Sequence, residues 1–189
     1  MKFVRNIVLV LLLAASLLQA KDFMGIPIED PVQLQTRPLP AWLVGGGGFV
    51  AYYLNSLDGG VVASVDRRLG THHSLGAVGH VYFGNDLMDI GLNYRFYFSG
   101  SLMSGHDDFL RAGFAGMYME KKDETYFSPM VSFGYGRDIL FFEKANLVGR
   151  VEVRAAYLLG EAVSKNEGSE FIDRTGHFLV FVDFLILFF

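Results

Sequence analysis

The residue types used in hydrolysis and acyl transfer occur in two groups along this chain. The groups are Ser104, His106 and Asp107, and Ser169, Asp173 and His177. A serine whose proton is taken by a histidine, which a carboxylate in turn orients, is a common nucleophile arrangement. No nucleophile motif accompanies either group. No catalytic residue is therefore assigned, and His177 with Asp173 is kept as the better candidate pair.

Two further motifs favour local structure over ligand binding. Gly45 to Gly48 are followed by neither Gly-Lys-Ser/Thr nor a helix, so they predict a bend or a close backbone approach rather than a phosphate loop. His72 and His73 are adjacent and would point in opposite directions along a strand, with no further ligand at metal-binding spacing. The chain contains no cysteine. We predict no metal site and no cofactor.

The most specific charged pattern is Arg150, Glu152 and Arg154, which alternate with apolar residues. A period of two is that of a β-strand, in which all three side chains share one face. The same alternation places further charges on one strand face each. These are Asp66, Arg68, Asp89, Arg95, Arg111 and Asp183, with His80 and His177.

Composition limits the classes of protein that position these charges. The chain has 189 residues, 51% of them hydrophobic and 15% aromatic, which argues against disorder. Its formal net charge is −4, so it lacks the basic surface typical of nucleic-acid binding. A compact domain or a membrane protein satisfies both observations.

The N-terminus has the pattern of a secretory signal peptide. Lys2 and Arg5 precede an apolar run, and Ala20 supplies the small residue at the predicted cleavage site, so residues 1–20 are predicted to be removed. An uncleaved membrane anchor is the alternative, although the run is short for a spanning helix. Residues 21–41 contain four of the five prolines and are predicted to form an extended lead-in or a small plug.

Residues 42–189 alternate like strands. Eight are predicted, near 42–54, 60–69, 74–84, 88–99, 109–120, 125–138, 147–160 and 176–189. The short turn-rich connections predict antiparallel neighbours, and an even number of strands can close into an up-and-down barrel. A soluble barrel and a membrane barrel share this pattern.

Three features favour the membrane barrel. They are the export signal, strands near the ten residues that cross a bilayer when tilted, and aromatic residues predicted at strand ends as interfacial girdles. The predicted girdle residues are Trp42, Tyr52, Tyr53, Tyr82, Phe83, Tyr97, Phe98, Tyr126, Tyr135 and Tyr157.

The last segment, from His177 to Phe189, resembles the closing strand of bacterial outer-membrane barrels, which typically ends in phenylalanine. Together with strand count and size, it makes residues 42–189 similar to small eight-stranded barrels of the OmpA/OmpX type. The resemblance implies an outer-membrane location and recognition of Phe189 by the barrel-assembly machinery. Phe178, Val180, Val182, Phe184, Ile186 and Phe188 form an uninterrupted apolar register, which predicts that Asp183 faces inward.

The interior of such a barrel is only wide enough to be filled by side chains. The inward charges named above would pair there, because an unpaired buried charge is costly. We therefore predict a structural ion-pair network, with a proton or solute path as the alternative.

The predicted topology places the loops near 55–59, 84–87, 120–125 and 161–175 on the cell exterior, and those near 70–73, 99–108 and 138–146 in the periplasm. The outer-membrane lipid would be one partner, and loop 161–175 is the candidate contact for an extracellular partner or a plain solvated loop. A non-catalytic structural or surface-interaction barrel is the predicted function. The alternatives are a lipid-modifying enzyme of the acyltransferase or deacylase type and a small solute channel.

Overall fold

The computed structural model of the protein describes residues 41–53, 56–83, 87–100, 105–121, 124–142, 146–159, 162–166, 169–173 and 178–188. The predicted signal peptide, nearly all of the lead-in, Ser104, His177 and Phe189 lie outside these residues. No helix in the described ranges has the length and apolarity needed to cross a bilayer.

The described chain consists of ten β-strands. They are β1 (Trp42–Tyr53), β2 (Ser56–Arg68), β3 (His73–Tyr82), β4 (Leu87–Tyr97), β5 (His106–Lys121), β6 (Glu124–Phe142), β7 (Leu147–Leu158), β8 (Ala162–Asn166), β9 (Ser169–Asp173) and β10 (Phe178–Phe188).

Eight of these strands form one closed antiparallel barrel, in the order β1-β10-β7-β6-β5-β4-β3-β2. Sequence neighbours pair along the barrel, and β1 with β10 closes it, as Val44 opposite Phe188 and Tyr52 opposite Val180 illustrate. The eight-stranded up-and-down barrel predicted from the alternation is confirmed. We call the end where β1 begins and β10 ends the terminal end.

The long predicted loop 161–175 contains a two-stranded sheet instead of being wholly irregular. Strands β8 and β9 pair antiparallel from Ala162 opposite Asp173 to Asn166 opposite Ser169. This small hairpin follows β7 and precedes β10, and we call the corresponding end of the barrel the hairpin end.

Other strand boundaries also differ from those predicted. β2 begins at Ser56 because Asp58 and Gly59, expected in a turn, pair with Ala51 and Val50. β5 begins at His106 because it pairs with β6 from His106 opposite Ile139 onwards. β6 continues to Phe142 because its last residues pair with β7, as far as Phe142 opposite Leu147. Residue types that commonly form turns therefore lie within strands here, because a partner strand provides hydrogen bonds for their backbone N–H and C=O groups.

The glycines of β1 lie at the seam with β10. A Cβ atom on Gly45 would collide with the carbonyl oxygen of Ile186, and one on Gly47 with the carbonyl oxygen of Phe184. The two backbones therefore approach too closely for a side chain, which accounts for glycine at both positions.

The two faces of the barrel wall differ sharply. On β4 the outward residues Ile90, Leu92 and Phe96 are exposed, whereas the inward residues Asp89 and Arg95 are buried. β10 follows the predicted register, with Asp183 buried on the inside and Ile186 exposed on the outside.

The prediction of aromatic girdles was only partly correct. Trp42, Phe83 and Phe98 are exposed on the outside, but Tyr82 and Tyr97 are buried in the interior. Both tyrosines share the parity of the inward charged residues of their strands, and their hydroxyl groups bond interior carboxylates. Tyr52 is also buried.

Candidate functional site: the charged interior of the barrel

The interior of the barrel collects nearly balanced charges. The buried acids are Asp66, Asp89, Asp107, Asp138, Glu152 and Asp183, and the buried bases are Arg68, Arg95, Arg111, Arg150 and Arg154, with His80. Six carboxylates thus face five guanidinium groups and one imidazole. All of them occupy inward positions on their strands. Because every second residue of a strand faces the interior, the period of two in the sequence places these charges together.

Asp66 on β2 joins two arginines from opposite parts of the wall. One of its oxygens accepts a hydrogen bond from Arg95 on β4, and the other accepts one from Arg150 on β7. Both ion pairs are fully buried. Because charge-assisted bonds of this kind are about twice as strong as neutral ones, Asp66 ties three strands together across the interior.

Arg150 forms a second buried pair with Asp138 on β6. Its Nε atom lies 2.6 Å from Asp138 Oδ1 and its Nη2 atom 2.8 Å from Oδ2, which is a bidentate fork. Tyr97 donates to Asp138 over 3.1 Å and accepts from Arg150 over the same distance. The guanidinium of Arg150 is thereby held on every side.

Glu152 is shared by two further arginines. Arg111 Nη1 lies 2.5 Å from Oε1, and Arg95 Nη2 lies 3.2 Å from Oε2. Arg95 consequently links Asp66 with Glu152, and the ion pairs of Asp66, Arg95, Glu152 and Arg111 form one continuous chain across the barrel.

A second cluster lies around His80, nearer the hairpin end. His80 Nδ1 is 2.8 Å from Asp89 Oδ1, and Nε2 is 3.5 Å from Asp183 Oδ1. Arg154 donates to Asp183 over 3.2 Å, and its Nη2 atom lies 2.9 Å from His80 Nε2. Tyr82 donates to Asp89 over 3.1 Å.

Aromatic rings cover the arginine planes. The Arg154 guanidinium lies 3.6 Å from the centre of the Phe181 ring, and Arg68 lies 4.0 Å from that of Tyr97. Arg95 and Arg150 lie 5.4 and 5.2 Å from the ring of Phe109. These contacts stabilise cations in a region shielded from water.

Glycine leaves room for this network at one close approach. Gly76 faces Asp66 across the β2–β3 pairing, and a Cβ atom there would collide with Asp66 Oδ1 and with the carbonyl oxygen of Val65. The side chain of Asp66 therefore occupies the space that a larger residue at position 76 would fill.

The nine charged residues predicted for the interior are all buried inside the barrel. The members are Asp66, Arg68, Asp89, Arg95, Arg111, Arg150, Glu152, Arg154 and Asp183. Sequence reasoning missed Asp107 and Asp138 as interior residues. Asp138 lies an even number of residues after Ser132 on β6, and both side chains are buried on the inside. Asp107 was assigned to a turn, but it lies in β5, where it accepts hydrogen bonds from Ser99 and lies 3.9 Å from Arg68.

The residues considered for catalysis or metal binding are dispersed. Asp173 ends β9 and Ser169 begins it, whereas Asp107 is buried in the barrel wall. His72 Nδ1 lies 2.8 Å from the carbonyl oxygen of Tyr97, and His73 Nδ1 lies 2.6 Å from the hydroxyl of Tyr94. In the described part of the chain, no three His, Asp or Glu side chains are grouped as a metal site.

Comparisons with known proteins identify the architecture. The chain matches no protein-family model and no curated protein sequence. It is similar in structure to the N-terminal β-barrel domain of Pseudomonas aeruginosa OprF, with a TM-score of 0.52, 14% identity and coverage of 78% of this chain and 98% of that one. It is also similar to Neisserial surface protein A, with a TM-score of 0.55, 12% identity and coverage of 80% and 99%. The fold is therefore that of small eight-stranded outer-membrane barrels.

Proposed function

We propose that this protein is a non-catalytic outer-membrane barrel whose interior is filled by paired side chains and whose role is structural or surface interaction. The observation that supports it most is the inverted distribution of polarity. Arg95 and Arg150 are 1% exposed, whereas Leu92 and Phe133 are 70% exposed. In water each exposed side chain of this size forgoes about 1.5–3 kcal/mol of burial, so the outer face matches a lipid environment.

The height of the apolar outer face agrees with a bilayer. The outward residues of β4, from Met88 through Leu92 to Phe96, and Phe98 just beyond its end are all apolar or aromatic. The ten steps from residue 88 to residue 98, at about 3.4 Å each and tilted by about 45°, rise roughly 24 Å, close to the apolar band of about 25 Å around membrane barrels.

The pairing inside the barrel supports a structural rather than a catalytic interior. Every buried carboxylate of the described chain lies within ion-pair or hydrogen-bond distance of a cation or a hydroxyl group. Such a network holds the wall together, which supports a structural role for these carboxylates.

The two ends of the barrel suggest different partners. With residues 1–20 acting as a cleaved export signal, the terminal end faces the periplasm and the hairpin end faces the exterior. Hairpin β8–β9 is then the candidate contact for an extracellular partner, because binding residues are commonly carried on loops above a rigid scaffold. Phe189 is the candidate signal for the assembly machinery.

Membrane fractionation with circular dichroism tests the proposal. We expect the protein in the outer-membrane fraction, a β-rich spectrum in detergent, and a mature N-terminus at Lys21. Recovery as a detergent-free monomer or a largely helical spectrum would contradict the barrel function. A mature chain that retains residues 1–20 would contradict the cleaved signal alone.

A further inference from the structure

Among the side chains that the structure describes, the charged ones on the outside of the barrel are concentrated at one end. Among outward side chains that the structure describes, the charged ones are Arg67, Asp108 and Arg137, and all three lie at the terminal end. The outer face above them is apolar. A lipid bilayer would therefore meet protein charge at this rim, where its headgroups lie.

Arg67 and Arg137 differ in their partners. Arg137 forms a bidentate pair with Asp108, with Nε–Oδ1 and Nη2–Oδ2 distances of 2.6 and 3.0 Å. Arg67 is exposed, and no carboxylate of the described residues lies within ion-pair distance of it. Its guanidinium instead lies over the ring of Trp42, 5.6 Å from the centroid. Arg67 is thus a cation whose donors remain available.

The surroundings of Arg67 are those of a membrane interface. Trp42 pairs directly with Arg67 across β1 and β2 and is 52% exposed. Leu69, just beyond the end of β2, is also exposed, and its backbone N–H donates to the carbonyl oxygen of His73. Tyr94, bonded to His73, continues this surface. We call these five residues the rim patch.

We propose that the rim patch binds an anionic phospholipid, with the lipid phosphate on Arg67 and the acyl chains along the apolar face of β2 and β3. A guanidinium group stacked on an aromatic ring keeps its planar edge of N–H donors, which matches phosphate oxygens in pairs. Val65 and Leu75 lie beside Arg67 on the outer face and provide apolar contact for the chains. This inference rests on the membrane function proposed above.

Trp42 is the only tryptophan of the chain and makes the patch directly observable. The mature protein is inserted into vesicles of phosphatidylcholine and phosphatidylglycerol in which one or the other lipid carries brominated acyl chains. Bromine quenches tryptophan fluorescence at contact, so the two quenching curves give the relative binding of the lipids at this position. We expect phosphatidylglycerol to be preferred roughly fivefold, the factor for one basic residue near a charged leaflet.

The variant R67Q should lower this preference to near one, and R137Q is the matched control because Arg137 already has a carboxylate partner. Raising the ionic strength to about 1 M, where charges are screened within about 3 Å, should remove the preference in the unaltered protein. Circular dichroism verifies that each variant has folded.

The outcomes separate the two proposals. Absence of quenching by either brominated lipid would show that Trp42 does not meet the bilayer and would overturn the lipid site, whereas failure of the protein to insert into the vesicles would contradict the membrane function. Equal quenching by both lipids, or a loss in R137Q as large as in R67Q, would overturn the lipid site while leaving the membrane barrel intact.

Discussion

Arg150 and Asp66 form an ion pair through the middle of the barrel, although β10 and β1 separate their strands β7 and β2 in the closed sheet. Both side chains are fully buried. The pair therefore connects parts of the wall that backbone hydrogen bonds do not join directly, and Arg150 is among the largest fully buried side chains of the described residues.

Replacing Asp66 by Asn should destabilise the folded barrel by about 3–5 kcal/mol, because two buried guanidinium groups lose their shared counter-charge. Urea unfolding in detergent or lipid vesicles measures the loss. The control is Asp108→Asn, whose pair with Arg137 lies on the partly exposed outer face and should contribute about 0–1 kcal/mol. Similar losses in the two variants would mean that the interior pairs do not hold the wall together.

A lysine on the outer face should be costly in proportion to its depth. Leu92→Lys lies at the middle of β4 and should lower stability in a bilayer by about 2–4 kcal/mol, whereas Phe98→Lys lies just beyond the strand end and should cost about 0–1 kcal/mol. Unfolding of both variants in the same vesicles gives the comparison. Equal effects would place the lipid boundary elsewhere.

Gly76→Ala should destabilise the barrel by about 1–3 kcal/mol, since its new methyl group would collide with Asp66 and with the backbone of β2. Gly79→Ala on the same strand is the control, because the nearest atom to its Cβ is the carbonyl oxygen of Asp89 at 3.6 Å. If Gly76→Ala were tolerated as well as Gly79→Ala, the packing around Asp66 would be looser than described. Thermal unfolding in detergent distinguishes the two.

Trypsin added to intact cells should cleave after Lys165, because hairpin β8–β9 lies at the end of the barrel assigned to the exterior. Mass spectrometry of the membrane fraction identifies the cut. Cleavage after Lys144, which lies in the sequence between β6 and β7 at the terminal end, serves as the control and should require permeabilised cells. Cleavage after Lys144 in intact cells would reverse the topology.

Purified protein in planar bilayers should show no steady conductance of porin size, because an eight-stranded barrel leaves an interior that side chains fill. Buried Arg95, Arg150 and Arg154 occupy that interior here. A protein-free bilayer and one containing a known porin provide the two controls. Reproducible large channels would favour solute transport, the alternative considered from the sequence.

Much of this fold was predictable because successive residues of a strand point alternately into and out of the barrel, so polar and apolar residues alternate with the same period of two. Along β4 and β7 the charged residues mark the interior without ambiguity, as Arg95 and Arg154 show. The strand ends were predicted less well than the strand centres. Asp107 resembled turn sequence, and Tyr97 was placed by its position near an interface, although its parity matches Arg95.

The small hairpin was missed for a different reason. β8 and β9 are five residues each, which is too short for alternation to separate a strand from a polar loop. The partners within the interior were also beyond sequence reasoning, since Arg150 reaches Asp66 only because the closed wall brings β7 opposite β2. Parity gives the side of the wall that a residue faces, and closure determines which residue lies opposite.

The seam between β1 and β10 sets the order in which this molecule can be completed. Val44 on β1 pairs with Phe188 on β10. β1 therefore has only β2 as a neighbour until β10, the last strand of the chain, has joined the sheet. Until then both strands present unpaired backbone edges, which are prone to join foreign chains. Contacts so distant along the chain form slowly. A chain truncated before β10 would therefore lose only a small part of its length, but its barrel could not close. The remaining strands would form an open sheet with two unpaired edges.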